Sequence, residues 1–340
     1  MLQDEDVYLD HQGPSVCEWK PLQRPFRFDN LSELVHQLKQ SSSLLHFQTS
    51  GSCGPAKHMT HRIDAFLPPA RQATDDAVWG LCYHPCHMAG MQVLLRALFR
   101  TQSLVYLFNS KPTDVCRLLS LHKVDHLSAT PTFYRMLLPL PHPLTTIRHL
   151  ALGGEGVEES LVNRLRKAFP KAQIRNIYAS TEAGILFWSD GTSFRILPHL
   201  QAYIKVEEQQ LFLHHSLLAH NLQQSEWHAT GDRVEWVDDQ HFRILGRVQD
   251  IVKVAGYRVA LEEVSAAVAQ LPGIRNHRVF ARPNAISGHI ICCDLVPTEA
   301  GCQIGPLKQQ LKQQLLPYQR PRIIRLVDRI ETGSSGKAKR

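Results

Sequence analysis

No stretch of the 340-residue chain approaches the ~18 uncharged apolar residues that a membrane-spanning helix needs. The N-terminal MLQDEDVYLD is acidic where a secretory signal is basic and then apolar. These absences exclude a helical membrane span and predict a soluble, cytoplasmic chain. Eight cysteines, at 17, 53, 82, 86, 116, 292, 293 and 302, form no CxxC pair and no small-domain framework, so neither disulfides nor structural zinc is expected. There is no internal repeat and no low-complexity tract. Basic residues exceed acidic ones, 38 against 31, for a net charge of +7, yet they are scattered, with no run of five and no interleaving with aromatics. That pattern argues against a dedicated nucleic-acid surface, while the charge suits an anionic cofactor or an acidic partner.

What is present is an ordinary globular mix, 43% hydrophobic and 20% charged, at a length that predicts about two domains. Residues 31–40 (LSELVHQLKQ) carry helical spacing and run into the strand-like LLHF. Between 94 and 179, LLRALF, SLVYLF, TDVCRLLSLH, ESLVNRLRKAF and QIRNIYA alternate helical and strand signals, which predicts βα units around a buried sheet. From about 200 shorter β-like pieces (YIKVEE, QLFLHH, RVEWVDD, HFRILGR) predict a separate β-rich layer. After Gly246 a hairpin, the amphipathic LEEVSAAVAQL, two strands, a helix over 305–315 and a final strand predict a compact α+β unit. The expected fold is α/β: a large N-terminal α/β domain with a β-rich subdomain (1–247), plus a small mobile α+β C-terminal domain (248–340).

Directly after LLHF stands Thr49-Ser50-Gly51-Ser52-Cys53-Gly54-Pro55-Ala56-Lys57. Glycines turn the backbone and expose N–H groups, hydroxyls add donors and the lysine adds charge, a set suited to polyphosphate. The spacing is not that of a Walker A loop, and alone such a segment is more often a surface turn than a phosphate cradle. It is followed in order by His84-Pro-Cys-His87-Met-Ala-Gly90, Ala129-Thr-Pro-Thr-Phe-Tyr134, Gly153-Gly154-Glu155, Tyr178-Ala-Ser-Thr181-Glu182, Thr230-Gly231-Asp232, the run Gly246-Arg247 to Arg258, and Gly336-Lys337.

In this order and spacing, residues 45–340 resemble the adenylate-forming superfamily of acyl- and aryl-CoA synthetases, nonribosomal-peptide adenylation domains and luciferases. The resemblance implies that Thr49, Ser50, Gly51, Ser52, Gly54 and Lys57 hold the β- and γ-phosphates of ATP, and that Tyr178 stacks on adenine against Gly153-Gly154-Glu155. It further implies that Thr181 touches phosphate, Glu182 holds Mg²⁺, Asp232 takes the ribose hydroxyls and Arg247 contacts the nucleotide. Lys337 would reach the reacting carboxylate and α-phosphate, His87 would wall the acyl pocket, Gln249 would be the hinge and Gly256 would line a pantetheine tunnel. The His84/Cys86/His87 group lacks a second ligand cluster and is read as a gate rather than a zinc site. The His58/His61 pair is read as a solvated or capping feature at a helix start. Apolar Met88, Met91, Ile185 and Phe187 fall on segments expected to wall the pocket, or belong to the core.

The implied activity is ATP-dependent conversion of an aryl or acyl carboxylic acid to its acyl-AMP, then transfer to a pantetheine thiol of CoA or an acyl carrier protein. An o-succinylbenzoate-CoA ligase and a non-catalytic nucleotide-binding relative are the alternatives. Cys53 stands where the family has threonine, exchanging a good donor for a weak one, and 48 residues precede the phosphate loop where the family has more, which implies a shortened first subdomain.

Overall fold

The computed structural model describes residues 9–10, 13–14, 44–48, 58–62, 77–84, 87–99, 103–219, 222, 225–298, 301–332 and 337–338. The helix expected over 31–40 and the loop 49–57, with Thr49, Ser50, Gly51, Ser52, Cys53, Gly54 and Lys57, lie outside the described residues.

A ribbon of β1 (Leu44–Gln48) and β2 (His58–Arg62) pairs antiparallel. The main sheet contains β3 (Val78–Leu81), β4 (Ser103–Tyr106), β5 (His126–Ala129), β6 (His149–Gly153) and β7 (Gln173–Ser180), all parallel, with β8 (Gly184–Ser189) antiparallel at the edge. Their order is β8-β7-β6-β5-β3-β4. Parallel neighbours require crossovers, supplied by α1 (Met88–Phe99), α2 (Pro112–Leu121), α3 (Pro131–Leu137) and α4 (Glu159–Ala168). Proline at the first turn of α2 and α3 starts each helix where no N–H is needed, and Thr130 caps α3 by accepting the Phe133 N–H at 3.1 Å. Leu161, Val162, Leu165 and Ala168 form the buried stripe of α4 and join Leu127, Leu150 and Leu152 in one apolar core.

A second, antiparallel sheet has the order β9-β13-β12-β11-β10, from β9 (Ser193–Arg195), β10 (Ile204–Glu207), β11 (Gln210–His214), β12 (Trp227–Trp236) and β13 (His241–Arg247). Its core of Phe194, Leu211, Leu213, Val234 and Phe242 also takes Tyr178 and Phe187 from the main sheet. A single 3₁₀ turn, Val248–Asp250, leads into the smaller C-terminal domain. Its elements are β14 (Ile251–Val254), β15 (Tyr257–Ala260), α5 (Leu261–Ala269), β16 (Ile274–Asn284), β17 (Gly288–Pro297), α6 (Ile304–Gln314) and β18 (Ile323–Leu326). The strand order is β15-β14-β17-β16, with β18 parallel to β17. Val259, Val264, Val268, Ile291, Cys293, Leu295, Leu307 and Leu311 make a core of its own. On the other face Asp294 is buried between Arg278 and Arg325. The β14–β15 hairpin turns through Ala255 (φ 50°) and Gly256 (φ 88°), two left-handed residues as a two-residue primed turn requires. No described helix is long and apolar enough to cross a membrane.

Candidate active site

Open parallel sheets place ligands at the carboxyl ends of their strands, where loops diverge. Four of the sequence motifs sit there: His84 and His87 beyond β3, Thr130 and Thr132 at the end of β5, Gly153-Gly154-Glu155 at the end of β6, and Thr181-Glu182 in the turn after β7. The antiparallel sheet brings Asp232 on β12 and Arg247 on β13 to the same region, opposite each other in register. From the other end of the chain comes Lys337, on a segment tied back by an isolated bridge between Ala338 and Thr332.

Tyr178, buried against Phe187 and Phe194, donates its hydroxyl to Asp232 Oδ2 at 2.7 Å. Arg247 Nε lies 3.0 Å from Asp232 Oδ1, and the same guanidinium donates to the Thr230 carbonyl at 2.9 Å. Burial pushes the Asp232 carboxyl above its ordinary range, and the charge of Glu182 adds to this, while Arg247, the Tyr178 hydroxyl and Lys337 act in the opposite direction. One carboxylate therefore sits among a phenol, a guanidinium, an ammonium and a second acid. Each carboxylate oxygen accepts more than one hydrogen bond, so Asp232 keeps capacity for a ligand hydroxyl pair.

Lys337 crosses Gly154. A Cβ placed on that glycine would fall 2.9 Å from Lys337 Cε and 3.5 Å from Nζ, and Gly154 holds φ +84°. The left-handed backbone favours glycine there, and a side chain would displace the end of Lys337 from its present position. Burial lowers the His87 pKa, with the nearby charges of His84 and Lys337 acting the same way, so the imidazole is neutral at neutral pH. His84 and His87 meet edge to face at 5.6 Å, and His84 packs on Phe108. Among the described residues no cluster of three or more His, Cys, Asp or Glu side chains could hold a metal. Glu182 and the Thr181 hydroxyl, half-buried in the turn, are a donor set that fits Mg²⁺, which is commonly held by one or two carboxylates together with substrate phosphates.

One reading changes on the structure and two gain detail. His61 is not at a helix start: it lies on β2, is 7% exposed, and donates Nε2–H to the Thr181 carbonyl at 2.6 Å. It thereby braces the turn that carries Glu182. Phe187, Met91 and Met88 are core residues, the Met88 Cε lying 3.9 Å from where a Cβ on Gly184 would stand, whereas Ile185 is exposed. Glu155 has a specific partner set: its carboxylate accepts from Thr132 N–H (2.8 Å), Thr132 O–H (3.0 Å) and Ala338 N–H (3.1 Å). Gln249 sits inside the 3₁₀ turn between the domains, and nothing lies within 4 Å of a Cβ placed on Gly256.

A polar interface that the sequence did not signal lies beside this site. Arg135 on α3 makes two bonds to Glu158 at 2.7 and 2.5 Å; His277 on β16 lies 4.0 Å from Glu158 and 2.9 Å from the Ser265 hydroxyl. Arg164 donates to the Arg275 carbonyl at 3.4 Å. Glu262 on α5 lodges against Gly156 and Gly246, where added Cβ atoms would collide with its side chain. Each is an isolated polar residue in sequence, and only the long-range fold pairs them.

Comparison with known proteins adds the following. A family model described as AMP-binding enzyme matches residues 7–211, and one described as AMP-binding enzyme C-terminal domain matches 263–337. Surfactin synthase subunit 1 of Bacillus subtilis (strain 168) is 24% identical over 352 residues, covering 86% of this chain and 10% of that protein. Bacitracin synthase 3 of Bacillus licheniformis is 25% identical over 264 residues, covering 67% of this chain and 4% of that protein. The chain thus spans a small fraction of these relatives. Among solved structures, the anthranilate CoA ligase AuaEII in complex with anthranoyl-AMP superposes with a TM-score of 0.71 at 19% identity, covering 88% of this chain and 66% of that one. The o-succinylbenzoate coenzyme A synthetase MenE of Bacillus subtilis, in complex with ATP and magnesium ion, gives 0.65 at 19% identity, covering 87% and 68%.

Proposed function

Because the chain belongs to the AMP-binding enzyme family, we propose that it converts a carboxylic acid to its acyl adenylate with ATP and passes the acyl group to a pantetheine thiol. The observation that carries this reading is Lys337, brought from the C-terminal end of the chain across Gly154 into the electrostatic neighbourhood of Asp232 and His87. In the proposed reaction the substrate carboxylate attacks the α-phosphorus, the bond to the β-phosphate oxygen breaks and pyrophosphate leaves. That step crowds negative charge, and a fixed ammonium stabilises it without reorganisation. Asp232 accepts the ribose hydroxyls, Tyr178 and Arg247 hold Asp232 in place, and Gly153-Gly154 offers a flat wall to adenine. Thr181 and Glu182 would hold Mg²⁺, which neutralises phosphate charge when bound. The loop of Thr49 to Lys57 is assigned the β- and γ-phosphates.

An apolar or aromatic acid suits a wall that includes Met88 and Ile185, and a solved protein of the same fold carries an aryl adenylate, anthranoyl-AMP. The net charge of +7 suits either the phosphates of CoA or an acidic carrier protein. We place the domain boundary after Arg247, with Gln249 as the hinge and the Gly256 turn beside the thiol's path. The test is pyrophosphate release with ATP and Mg²⁺ across benzoic, hydroxybenzoic, succinylbenzoic, short-chain and long-chain acids, with and without CoA. Release confined to one acid class supports the reading. Measurable ATP binding with no release on any acid, with CoA or an added carrier protein, overturns it.

A further inference from the structure

The loop Gly154-Glu155-Gly156 is touched at three successive positions by the C-terminal part of the chain. Lys337 crosses Gly154, the Ala338 N–H bonds to Glu155, and the Glu262 side chain abuts Gly156. Two of the three have no side chain, and the third presents a carboxylate whose other bonds, to the N–H and O–H of Thr132, anchor it to the first turn of α3. The carboxylate is thus fixed by Thr132, whose N–H bonds to Oε2 and whose O–H bonds to Oε1, and Oε1 has a second lone pair that accepts the Ala338 N–H of the C-terminal segment. A charged acceptor held by two local donors is a rigid receptor for one more N–H. The residue it captures is the immediate neighbour of Lys337.

We infer that Glu155 is the positioning residue for Lys337: its carboxylate captures the Ala338 amide and so sets the reach of the lysine over Gly154. Gly156 and Gly246 act with it by leaving room for Glu262, which seats α5 and with it the C-terminal domain. This inference rests on the proposed adenylation for its kinetic consequence and on geometry alone for the docking. It separates Glu155 from Gly153 and Gly154. Those two offer backbone to the nucleotide, whereas the Glu155 carboxylate faces the C-terminal segment.

The test compares the full-length wild type with Glu155→Gln, Ala338→Pro, Lys337→Ala and the Glu155→Gln/Lys337→Ala pair. Glutamine keeps size and one acceptor oxygen but turns an NH₂ towards one of the donors. Proline removes the amide N–H of residue 338 and leaves Glu155 intact, and Ala338 belongs to none of the apolar cores described above. Hydrogen exchange at the Ala338 amide is expected to be slow in the wild type and fast in Glu155→Gln, with exchange elsewhere unchanged. A rise spread over the main sheet would instead report unfolding, and Ala338→Pro then decides through exchange in residues 153–158. Pyrophosphate release is expected to fall about 10- to 100-fold in Glu155→Gln, in line with loss of a hydrogen bond to a charged acceptor. In the Lys337→Ala background the same change should have no further effect, because a residue acting only through the lysine has nothing left to position. Retained protection in Glu155→Gln, or additive losses in the pair, overturns the inference. Loss of protection in a protein that releases no pyrophosphate on any acid leaves the docking intact and removes the enzymatic reading instead.

Discussion

Lowering the pH from about 7.5 to about 5 should destabilise the docked C-terminal domain by ~2 kcal/mol through one side chain, His277. The ring is buried at the domain interface, 2.9 Å from the Ser265 hydroxyl and 4.0 Å from Glu158, with Arg135 bonded to that same glutamate. Burial brings its pKa from the ordinary 6.5 down to about 4, the charge of Arg135 adds to this, and Glu158 and Ser265 oppose it. A chain in which His277 is exposed binds a proton between those two values and the docked chain does not. The stability His277 contributes is therefore present above pH 6.5, drains as pH falls, and is gone below about 4. The whole interval is worth ~3 kcal/mol at 1.36 kcal/mol per pH unit, and most of it is already lost at about pH 5. Urea titrations at the two pH values, on the wild type and on His277→Gln, isolate the effect because every other titrating group cancels in the difference. The variant should lose less stability than the wild type by ~2 kcal/mol on acidification. Parallel pH dependences for the two proteins would refute the assignment.

Lys337→Ala should cut pyrophosphate release to a small but measurable residual rate while thioester still forms from supplied acyl adenylate, measured as two separate half-reactions; survival of both at the wild-type rate would misplace the lysine. Tyr178→Phe removes the donor to buried Asp232, and the loss of a hydrogen bond to a charged group predicts ATP binding weakened by ~1.5–3 kcal/mol, read by calorimetry. Gly154→Ala meets both a left-handed backbone and Lys337; ~1–2 kcal/mol of backbone strain should lower the thermal midpoint, and adenylation should fall further than stability accounts for. Glu158→Gln leaves Arg135 buried without its full countercharge, and a loss approaching the ~3–5 kcal/mol of a broken buried pair is expected in denaturant titrations.

The βα alternation between 94 and 179 was legible because parallel strands buried on both faces read as short apolar runs, and helices such as Glu159–Ala168 keep a clear stripe. The antiparallel sheet was legible from its turns. His61 was misread because two histidines three apart satisfy helical spacing, whereas the deciding fact is alternation on β2, where Met59 and His61 are buried and Thr60 between them is less so. Tyr178 carries both readings, a core aromatic by its ring and a site residue by its hydroxyl. The interface of Arg135, Glu158, Glu262 and His277 left no trace in the sequence. Single polar residues more than a hundred positions apart have no periodicity to betray them, and a glycine that accommodates a distant glutamate looks like any turn glycine. The site motifs were found through their order along the chain, and their spatial meaning, four at the carboxyl ends of the parallel sheet with Asp232, Arg247 and Lys337 brought to them from elsewhere, came from the topology.

The C-terminal domain keeps its apolar core to itself, and the contacts described above between it and the rest of the protein are polar: His277 beside Glu158, Arg164 on the Arg275 carbonyl and the Ala338 amide on Glu155. Separating the two surfaces then wets mostly polar groups, and it is apolar hydration that gives protein transitions their large positive heat capacity. The docking equilibrium should accordingly show little curvature with temperature, its enthalpy nearly constant across the range in which the chain stays folded. The hinge motion proposed at Gln249 would then have the same energetics in a cold cell as in a warm one, because the hydrophobic effect, the most temperature-sensitive force in the molecule, is left inside each domain and out of the contact between them.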